Sequence, residues 1–387
     1  MAWSLVAAAC LLDWLLGDPR GWLHPVQVMG GAIRALRNRA ESWAGDRPWA
    51  LRLAGAGITG AVVGLSGLVG WGVERLALAV PWLGMPLLLI GLASALAGRS
   101  LEQAVREVLR ALPDAPDPVA ASLEAPAAMA ALLAAEGKAG DDPGELRSPL
   151  AHARQRLSWI VGRDVEQLDA PQILRALAET ASENGVDGLF APLFWMLVGA
   201  ALWCVGLPLV HGPLVPGPLA LAWMFKAAST LDSMLGYRRG RLRWLGTAGA
   251  RLDDALTWLP CRLVALSLPL VGKARMGGGG DASTGQRCGC WSRFRRALRE
   301  GAADPSPNAG VSQAAYALVA GVRLGGLNRY GGEIRVKPLL AQEFPPADHA
   351  AVQRILALSR RLEMLWLLAA WALLSGLELL AGLGLAQ

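Results

Sequence analysis

Charged residues are scarce in this chain of 387 residues, of which they make up 18%, whereas hydrophobic residues make up 53%. The mean hydropathy is +0.36. An ordinary soluble domain carries considerably more charge than this, so the composition excludes that class. Lipid is expected to solvate much of the protein.

Other features are absent as well. The five cysteines show no zinc-site spacing, since Cys288 and Cys290 are too close for the usual two-residue spacer, and we interpret them as incidental thiols. No P-loop is found, so any nucleotide site is of another kind. The net charge is +6, but the basic residues are not interleaved with aromatic side chains on which bases could stack. This excludes nucleic-acid binding. The first apolar run lacks a basic start, so we do not expect cleavage of a signal peptide.

Long uncharged runs are what the sequence has instead. A bilayer core about 30 Å thick requires about 20 apolar residues per helix. Runs 53–73 and 76–98 predict a helical hairpin, and run 188–225 predicts two helices separated by the helix-breaking stretch 211–218. Run 364–385 predicts a further span, and residues 1–16 a full or partial one. The predicted fold class is all-α, a polytopic helical integral membrane protein.

Arginine-rich segments define the expected orientation, because short basic loops stay in the cytoplasm. A basic segment lies on each side of run 252–272, and both should be cytoplasmic. A crossing there would place one of them outside. We therefore predict a re-entrant or interfacial helix that Pro260 breaks and Arg262 anchors at the headgroups. Most of the remaining arginines are interpreted as topology determinants or contacts to anionic lipid.

Two segments predict flexible insertions within a single domain of residues 1–387. Residues 113–149 are rich in Ala, Pro and acidic residues, and residues 276–289 contain four consecutive glycines. No chemistry is assigned to either.

Ionisable residues beside apolar runs are energetically costly, so their grouping carries information. Asp18, Arg20 and His24 follow the first run, together with Asp13. This group could simply end and cap a helix. An aspartate, an arginine and a histidine together are also suited to holding a phosphate or a metal.

An acidic stripe leads into run 188–225. Arg175, Glu179, Glu183 and Asp187 are spaced by four and share one helix face, with Asn184 beside them, and Arg163 and Asp164 precede the stripe. Arg175 and Glu179 could form only a surface ion pair. The successive carboxylates repel unless a cation lies among them, so the stripe predicts a divalent metal or a cationic substrate group.

Two polar groups follow. Lys226, Ser229 and Ser233 share a helix face and form a cradle that fits a phosphate, with Asp232 in the same group, although Lys226 could only snorkel to the interface. Asp253 and Asp254 follow Arg251, and adjacent aspartates can hold magnesium through their oxygens, which alone is weak support.

The last group is a turn-rich stretch, 305–310, before an apolar helix. Ser306 or Asn308 could cap that helix, whose N-terminus is equally suited to an anion.

In their order and wording these groups resemble the adenosylcobinamide-phosphate synthase family of cobalamin biosynthesis, often labelled CbiB or CobD. The matching phrases cover nearly the whole chain: LDWLLGDPR (12–20), HPV (24–26), IVGRD (160–164), ETASENGVDG (179–188), APLFW (191–195), KAASTLDSMLGY (226–237), ARLDD (250–254), WLP (258–260) and SPNAG (306–310).

The resemblance implies an amide bond formed between adenosylcobyric acid and (R)-1-amino-2-propanol O-2-phosphate or a similar amino-alcohol phosphate. It implies ATP to activate the carboxylate and Mg²⁺ to neutralise phosphate charge. Other cobalamin-biosynthesis enzymes are candidate partners. The implied location is the bacterial cytoplasmic (inner) membrane, with the site facing the cytoplasm.

The residues assigned on this basis fall into three sets. The catalytic set is Glu179, Glu183, Lys226 and Asp254, and the metal set is Glu183, Asp187, Asp253 and Asp254. The substrate and phosphate set is Asp18, Arg20, His24, Arg163, Asn184, Ser229, Asp232, Arg251, Ser306 and Asn308.

Two other functions stay open, a membrane transporter and a scaffold for corrinoid intermediates. Against a transporter, no inverted repeat is visible, and most charges lie at one interface instead of the bilayer centre.

Overall fold

A computed structural model describes residues 2–17, 24–112, 148–209, 215–272 and 289–384. Asp18, Arg20 and nearly all of the two predicted insertions lie outside these ranges. The helices are α1 (Ala2–Leu16), α2 (Pro25–Ala44), α3 (Pro48–Ala79), α4 (Pro81–Ala93), α5 (Gly98–Ala111), α6 (Pro149–Leu157), α7 (Ala170–Gly185), α8 (Ala191–Leu209), α9 (Pro218–Leu235), α10 (Leu242–Leu245), α11 (Thr247–Val271), α12 (Cys290–Gly301), α13 (Ala309–Ala320) and α14 (His349–Gly384).

The helical membrane class is confirmed. Among the described residues, the helical stretches long and apolar enough to cross a membrane are Pro48–Ala79, Pro81–Ala111, Ala170–Cys204 and Thr247–Val271. The predicted hairpin is formed by α3 and α4. The two helices pack so closely that a Cβ atom added to Gly84 would lie 2.3 Å from the Cα atom of Ala77. Run 188–225 is divided between α8 and α9, as predicted.

One end of the helix bundle is fixed by Glu74 of α3, whose side chain is buried. Its carboxylate accepts hydrogen bonds from the backbone N–H groups of Gly217, Leu219 and Ala220 at 2.9, 2.7 and 3.0 Å. The first N–H groups of a helix have no partner within it, so Glu74 caps α9 from a neighbouring helix. This glutamate, which separates two apolar runs, is therefore structural.

Glu74→Ala is expected to destabilise the fold by about 3 kcal/mol, because buried N–H donors would lose a charged acceptor. A lower melting temperature of the detergent-solubilised protein would show this. Glu107→Ala provides a control that removes a half-buried glutamate elsewhere in the chain. Equal melting temperatures for Glu74→Ala and the unmodified protein would contradict the capping role.

Helix α11 continues through Pro260, so the predicted break at this residue is wrong. A proline lacks the N–H that would bond the carbonyl four residues earlier, here that of Leu256. The indole Nε1 of Trp195 donates to this carbonyl at 3.1 Å instead. The carbonyl that Pro260 leaves without a helical partner is therefore paired by a neighbouring helix.

A π-helical turn, Val186–Phe190, joins α7 to α8 and contains Asp187. A π turn displaces the usual hydrogen bonds of a helix. One of its carbonyls, that of Gly188, accepts from the backbone N–H of Ala97 at 2.8 Å.

A two-stranded antiparallel hairpin, β1 (Leu324–Tyr330) and β2 (Glu333–Leu340), follows α13. Gly331 and Gly332 form its turn with φ of 57° and 83°. Successive positive φ values favour glycine, which has no Cβ atom. This hairpin was not predicted from the sequence, and it carries a side chain to the candidate site.

Candidate active site

The structure brings together predicted acids from three segments. Glu183 lies near the end of α7 and Asp187 in the π turn, while Asp232 lies on α9 and Asp253 and Asp254 lie near the start of α11. Asp187 is close enough to interact electrostatically with Asp253, Glu183 and Asp232, and Asp232 interacts with Asp254. We refer to these five residues as the carboxylate cluster.

Cations border the carboxylate cluster. Lys226 of α9 interacts with Asp187, and Arg238 interacts with Asp254. The amide side chain of Gln313 on α13 donates to Glu183 at 2.7 Å. The cluster is thus a half-buried acidic site with basic and amide groups at its edge.

Lys337 of β2 is a site residue that the sequence analysis missed. Its Nζ atom lies 3.4 Å from a carboxylate oxygen of Asp304, and its side chain is 19% exposed. Burial opposes the charged form, but the carboxylates of Glu183 and Asp304 outweigh it, so the pKa of Lys337 lies above its usual value. The lysine in the half-buried part of β2 would have been informative if the hairpin had been recognised.

The carboxylate cluster is chemically suited to magnesium, which prefers several oxygen ligands. Within the described ranges, no three Asp, Glu, His or Cys side chains are already arranged around a metal position. Magnesium binding by Glu183, Asp187, Asp253 and Asp254 stays a prediction.

Glu179, predicted to be catalytic, is buried between α7 and the hairpin. It forms an ion pair with Arg163, and its other carboxylate oxygen accepts from the backbone N–H of Gly325 at 2.9 Å. Arg163 also donates to the Asn328 side chain at 2.7 Å. Both oxygens of Glu179 therefore have protein partners, and the residue attaches β1 to α7.

Arg175 reinforces the same attachment. Its guanidinium donates to the backbone carbonyls of Gly325 and Leu327 at 3.0 and 2.6 Å. The Arg175–Glu179 pair of the sequence analysis has a nitrogen-to-oxygen distance of 3.9 Å, but one partner is buried, so it is not a simple surface pair.

The hairpin turn is held by Asp164. Its carboxylate accepts from the backbone N–H groups of Gly332 and Gly331 at 2.8 and 2.9 Å, and its own N–H donates to the carbonyl of Arg329 at 2.9 Å. Hydrogen bonds to the charged form lower the pKa of Asp164 below its usual value.

Acidification is expected to loosen this turn. Because the pKa of Asp164 is lowered in the folded protein, its stabilising contribution is present above the usual value of 3.8 and is lost as the pH falls through the lower folded value. Amide-exchange protection at Gly331 and Gly332 should decrease over that range, and Asp164→Asn should lack the dependence. Identical profiles for both proteins would contradict this role.

Ser306 and Asn308 have separate roles at the start of α13. The Ser306 hydroxyl accepts from the N–H of Ala309 at 3.2 Å, which is the capping alternative. The Asn308 side chain donates to the carbonyl of Asp254 at 2.9 Å and accepts from Arg262 at 2.5 Å. Asn308 therefore positions the acidic end of α11, and Arg262 binds this loop.

The remaining predicted residues are less engaged in the site. His24 caps α2 by accepting from the N–H of Val26 at 3.3 Å. The backbone carbonyl of Ser229 accepts from the Ser233 hydroxyl at 2.9 Å. Asn184 and Ser229 are half-buried, and Arg251 is exposed.

Comparison with known proteins supports one family. The family model described as CobD/Cbib protein matches residues 6–124 and 118–359. The chain is 36% identical to the cobalamin biosynthesis protein CobD of Synechocystis sp., over 97% of this chain and 91% of the relative. It is 34% identical to the cobalamin biosynthesis protein CbiB of Salmonella typhi, over 96% and 95%.

A CobD of Photorhabdus laumondii is 37% identical, over 87% of this chain and 86% of that protein. No solved structure matches the chain. Because the family model covers most of the described site and the relatives align over nearly their whole length, the chain belongs to the CobD/CbiB family of cobalamin biosynthesis proteins.

Proposed function

We propose that the protein forms the amide between a propionate carboxylate of adenosylcobyric acid and the amine of (R)-1-amino-2-propanol O-2-phosphate, or of a similar amino-alcohol phosphate, at the expense of ATP. The observation that carries the proposal is the carboxylate cluster with Lys226 and Lys337 at its edge. The matched relatives, which are named cobalamin biosynthesis proteins, support the pathway.

Activation is the chemical requirement of this reaction. A carboxylate does not condense with an amine in water, so its oxygen must first become a better leaving group. Bound Mg-ATP would supply that activation, with Glu183, Asp187, Asp253 and Asp254 as the residues that would hold the metal. The oxygen-rich donor set suits such a role.

The chain's own residues would handle the amine and the anions. An amine attacks only after its ammonium form loses a proton, and a nearby carboxylate can accept that proton. We assign this role to Asp232, which interacts electrostatically with both Asp254 and Glu183. Lys226 and Lys337 would bind phosphate or propionate oxygens as point charges.

The remaining residues would hold other groups of the site in position. Glu179 would act through Arg163 and the hairpin, since its own oxygens are occupied. Asn308 would set the position of Asp254 through the backbone. We also propose that the site faces the cytoplasm of a bacterial cytoplasmic membrane, because Arg238 of an arginine-rich segment lies close to Asp254 and short basic segments stay in the cytoplasm.

The test uses purified protein in detergent with adenosylcobyric acid, the amino-alcohol phosphate and Mg-ATP, and detects the amide by mass spectrometry. Product should appear only when every component is present. A transporter would instead move corrinoid into proteoliposomes without forming product, and a scaffold would show neither activity. Either result would overturn the synthase proposal.

Lys337→Met is expected to lower kcat/KM by roughly tenfold to a hundredfold, because a half-buried cation next to Glu183 would be lost. Lys337→Arg, which keeps the charge, should retain more activity. Lys138→Met supplies a matched loss of a lysine in the predicted insertion 113–149, to which no chemistry is assigned. Equal activity of Lys337→Met and Lys138→Met would remove Lys337 from the site.

A further inference from the structure

We propose a second anion site, in which a phosphate group binds to arginines between α5 and α14. The arginine groove consists of Arg99, Arg106 and Arg110 on α5 and Arg360 on α14. The proposal is independent of the synthase reaction, because it rests on different helices from the carboxylate cluster.

The groove is a cavity with a volume of about 550 Å³ and an entirely polar or charged lining. Small-molecule sites commonly have volumes of about 300 to 1,000 Å³, so a phosphorylated compound or a lipid headgroup fits by size. The lining residues are Arg99, Glu102, Gln103, Arg106, Glu107, Arg110 and Arg360.

Both acids of the groove are already paired. Glu102 is buried and accepts from Arg106 Nε at 2.6 Å and from Arg360 Nε at 2.8 Å. Glu107 forms an ion pair with Arg156 of α6. Glu102 therefore holds two guanidinium groups in place without neutralising both.

Two further arginines supply the unmatched charge. Among the residues that the structure describes, neither Arg99 nor Arg110 forms an ion pair with a carboxylate, and the buried Nε atom of Arg99 has no hydrogen-bond partner. A guanidinium that no carboxylate neutralises leaves its charge uncompensated, and an anion bound in the groove would compensate it. The groove is thus built for an anion.

Phosphate is the anion that this arrangement favours. A guanidinium presents a planar fork of N–H donors that matches phosphate oxygens, and several such forks converge here. A smaller adjoining cavity shares Arg99, Glu102 and Arg360 and is also lined by Gly185, two residues from Glu183 and Asp187. The groove therefore lies beside the helix that carries the candidate site.

The ligand could be a soluble phosphate compound or the headgroup of an anionic lipid, and the test separates these sources. Pyrophosphate binding to the detergent-purified protein is measured by calorimetry, and retention of cardiolipin is measured by native mass spectrometry from nanodiscs. The test variant is Arg99→Gln with Arg110→Gln. The control is Arg295→Gln with Arg299→Gln, which removes the same charge from exposed positions on α12.

The test variant should bind pyrophosphate, or retain cardiolipin, at least tenfold more weakly than the unmodified protein, whereas the control should change less than twofold. Arg99→Lys with Arg110→Lys should restore much of the binding if the test variant is well folded. Loss of pyrophosphate binding identifies a soluble ligand, and loss of cardiolipin alone identifies a lipid. Unchanged binding of both probes, or equal loss in the control, overturns the proposal.

Discussion

Glu183→Gln and Asp254→Asn should each lower amide synthesis by roughly a hundredfold or more, the usual effect of removing one group that stabilises charge in a transition state. Each substitution keeps the size of the side chain and removes its negative charge. Glu183 lies where α7, α13 and β2 meet, and the backbone of Asp254 is fixed by Asn308. Both variants should therefore insert and fold while losing activity.

Glu41→Gln is the matched control, since Glu41 forms a surface ion pair with Arg37 on α2, and such pairs contribute little. Turnover is measured over a range of magnesium concentrations. If Glu183→Gln or Asp254→Asn keeps near-normal turnover at limiting magnesium, the metal role proposed for that residue is wrong.

Only part of the arrangement of the acidic stripe could be predicted from the spacing of its residues. A spacing of four correctly placed Glu183 and Asp187 near each other, and the structure adds acids from α9 and α11. The spacing could not separate Glu179 from them. The partners of Glu179 are Arg163, which precedes the stripe, and Gly325, which is far away in sequence, so its engagement depends on tertiary structure.

The hairpin was missed because its local sequence resembles a loop. Its strands contain glycines at 325 and 326, which weaken any strand pattern. Its stability comes from distant residues, since Asp164 holds the turn and Arg175 binds β1. Lys337 could not be assigned to the site without that placement.

Pro260 shows the opposite limitation. The local rule that proline breaks a helix is sound, but it assumes that the freed carbonyl stays unpaired. Trp195 satisfies that carbonyl from another helix. A tertiary hydrogen bond of this kind has no trace in the local sequence.

Helix α11 is continuous, and Thr247–Val271 is long and apolar enough to cross a membrane. Its re-entrant placement stays a prediction, and its contacts are the reason to test it. Near its start, Gly249 packs on Leu231, close to the end of α9, and at its end, Gly272 packs on Val319 and Leu358. The cap formed by Glu74 places the beginning of α9 at the opposite end of the bundle.

Helices α7 and α14 serve as references for the positions of these contacts along the bundle. The two helices run parallel, since Gly185 lies near Ser359 and Phe190 contacts Trp366. Leu358 is therefore in the half of α14 level with the end of α7, and Leu231 is on the part of α9 that faces Asp187 through Asp232. Both ends of α11 thus contact helices that form or border the candidate site.

Cysteines introduced by Arg243→Cys and Ala302→Cys, before and after α11, are therefore expected to lie on the same cytoplasmic side. In a background lacking the five native cysteines, neither should react with a membrane-impermeant thiol reagent in intact cells, and both should react after permeabilisation. Trp82→Cys, at the α3–α4 turn where the side chain is 79% exposed, should react in intact cells. The physical reason is that substrates cannot bridge opposite faces of a bilayer, so groups of one site must share a compartment. Labelling of Ala302→Cys but not Arg243→Cys in intact cells would show that α11 crosses, and a single cytoplasmic site that includes both Asp254 and Asn308 would then be wrong.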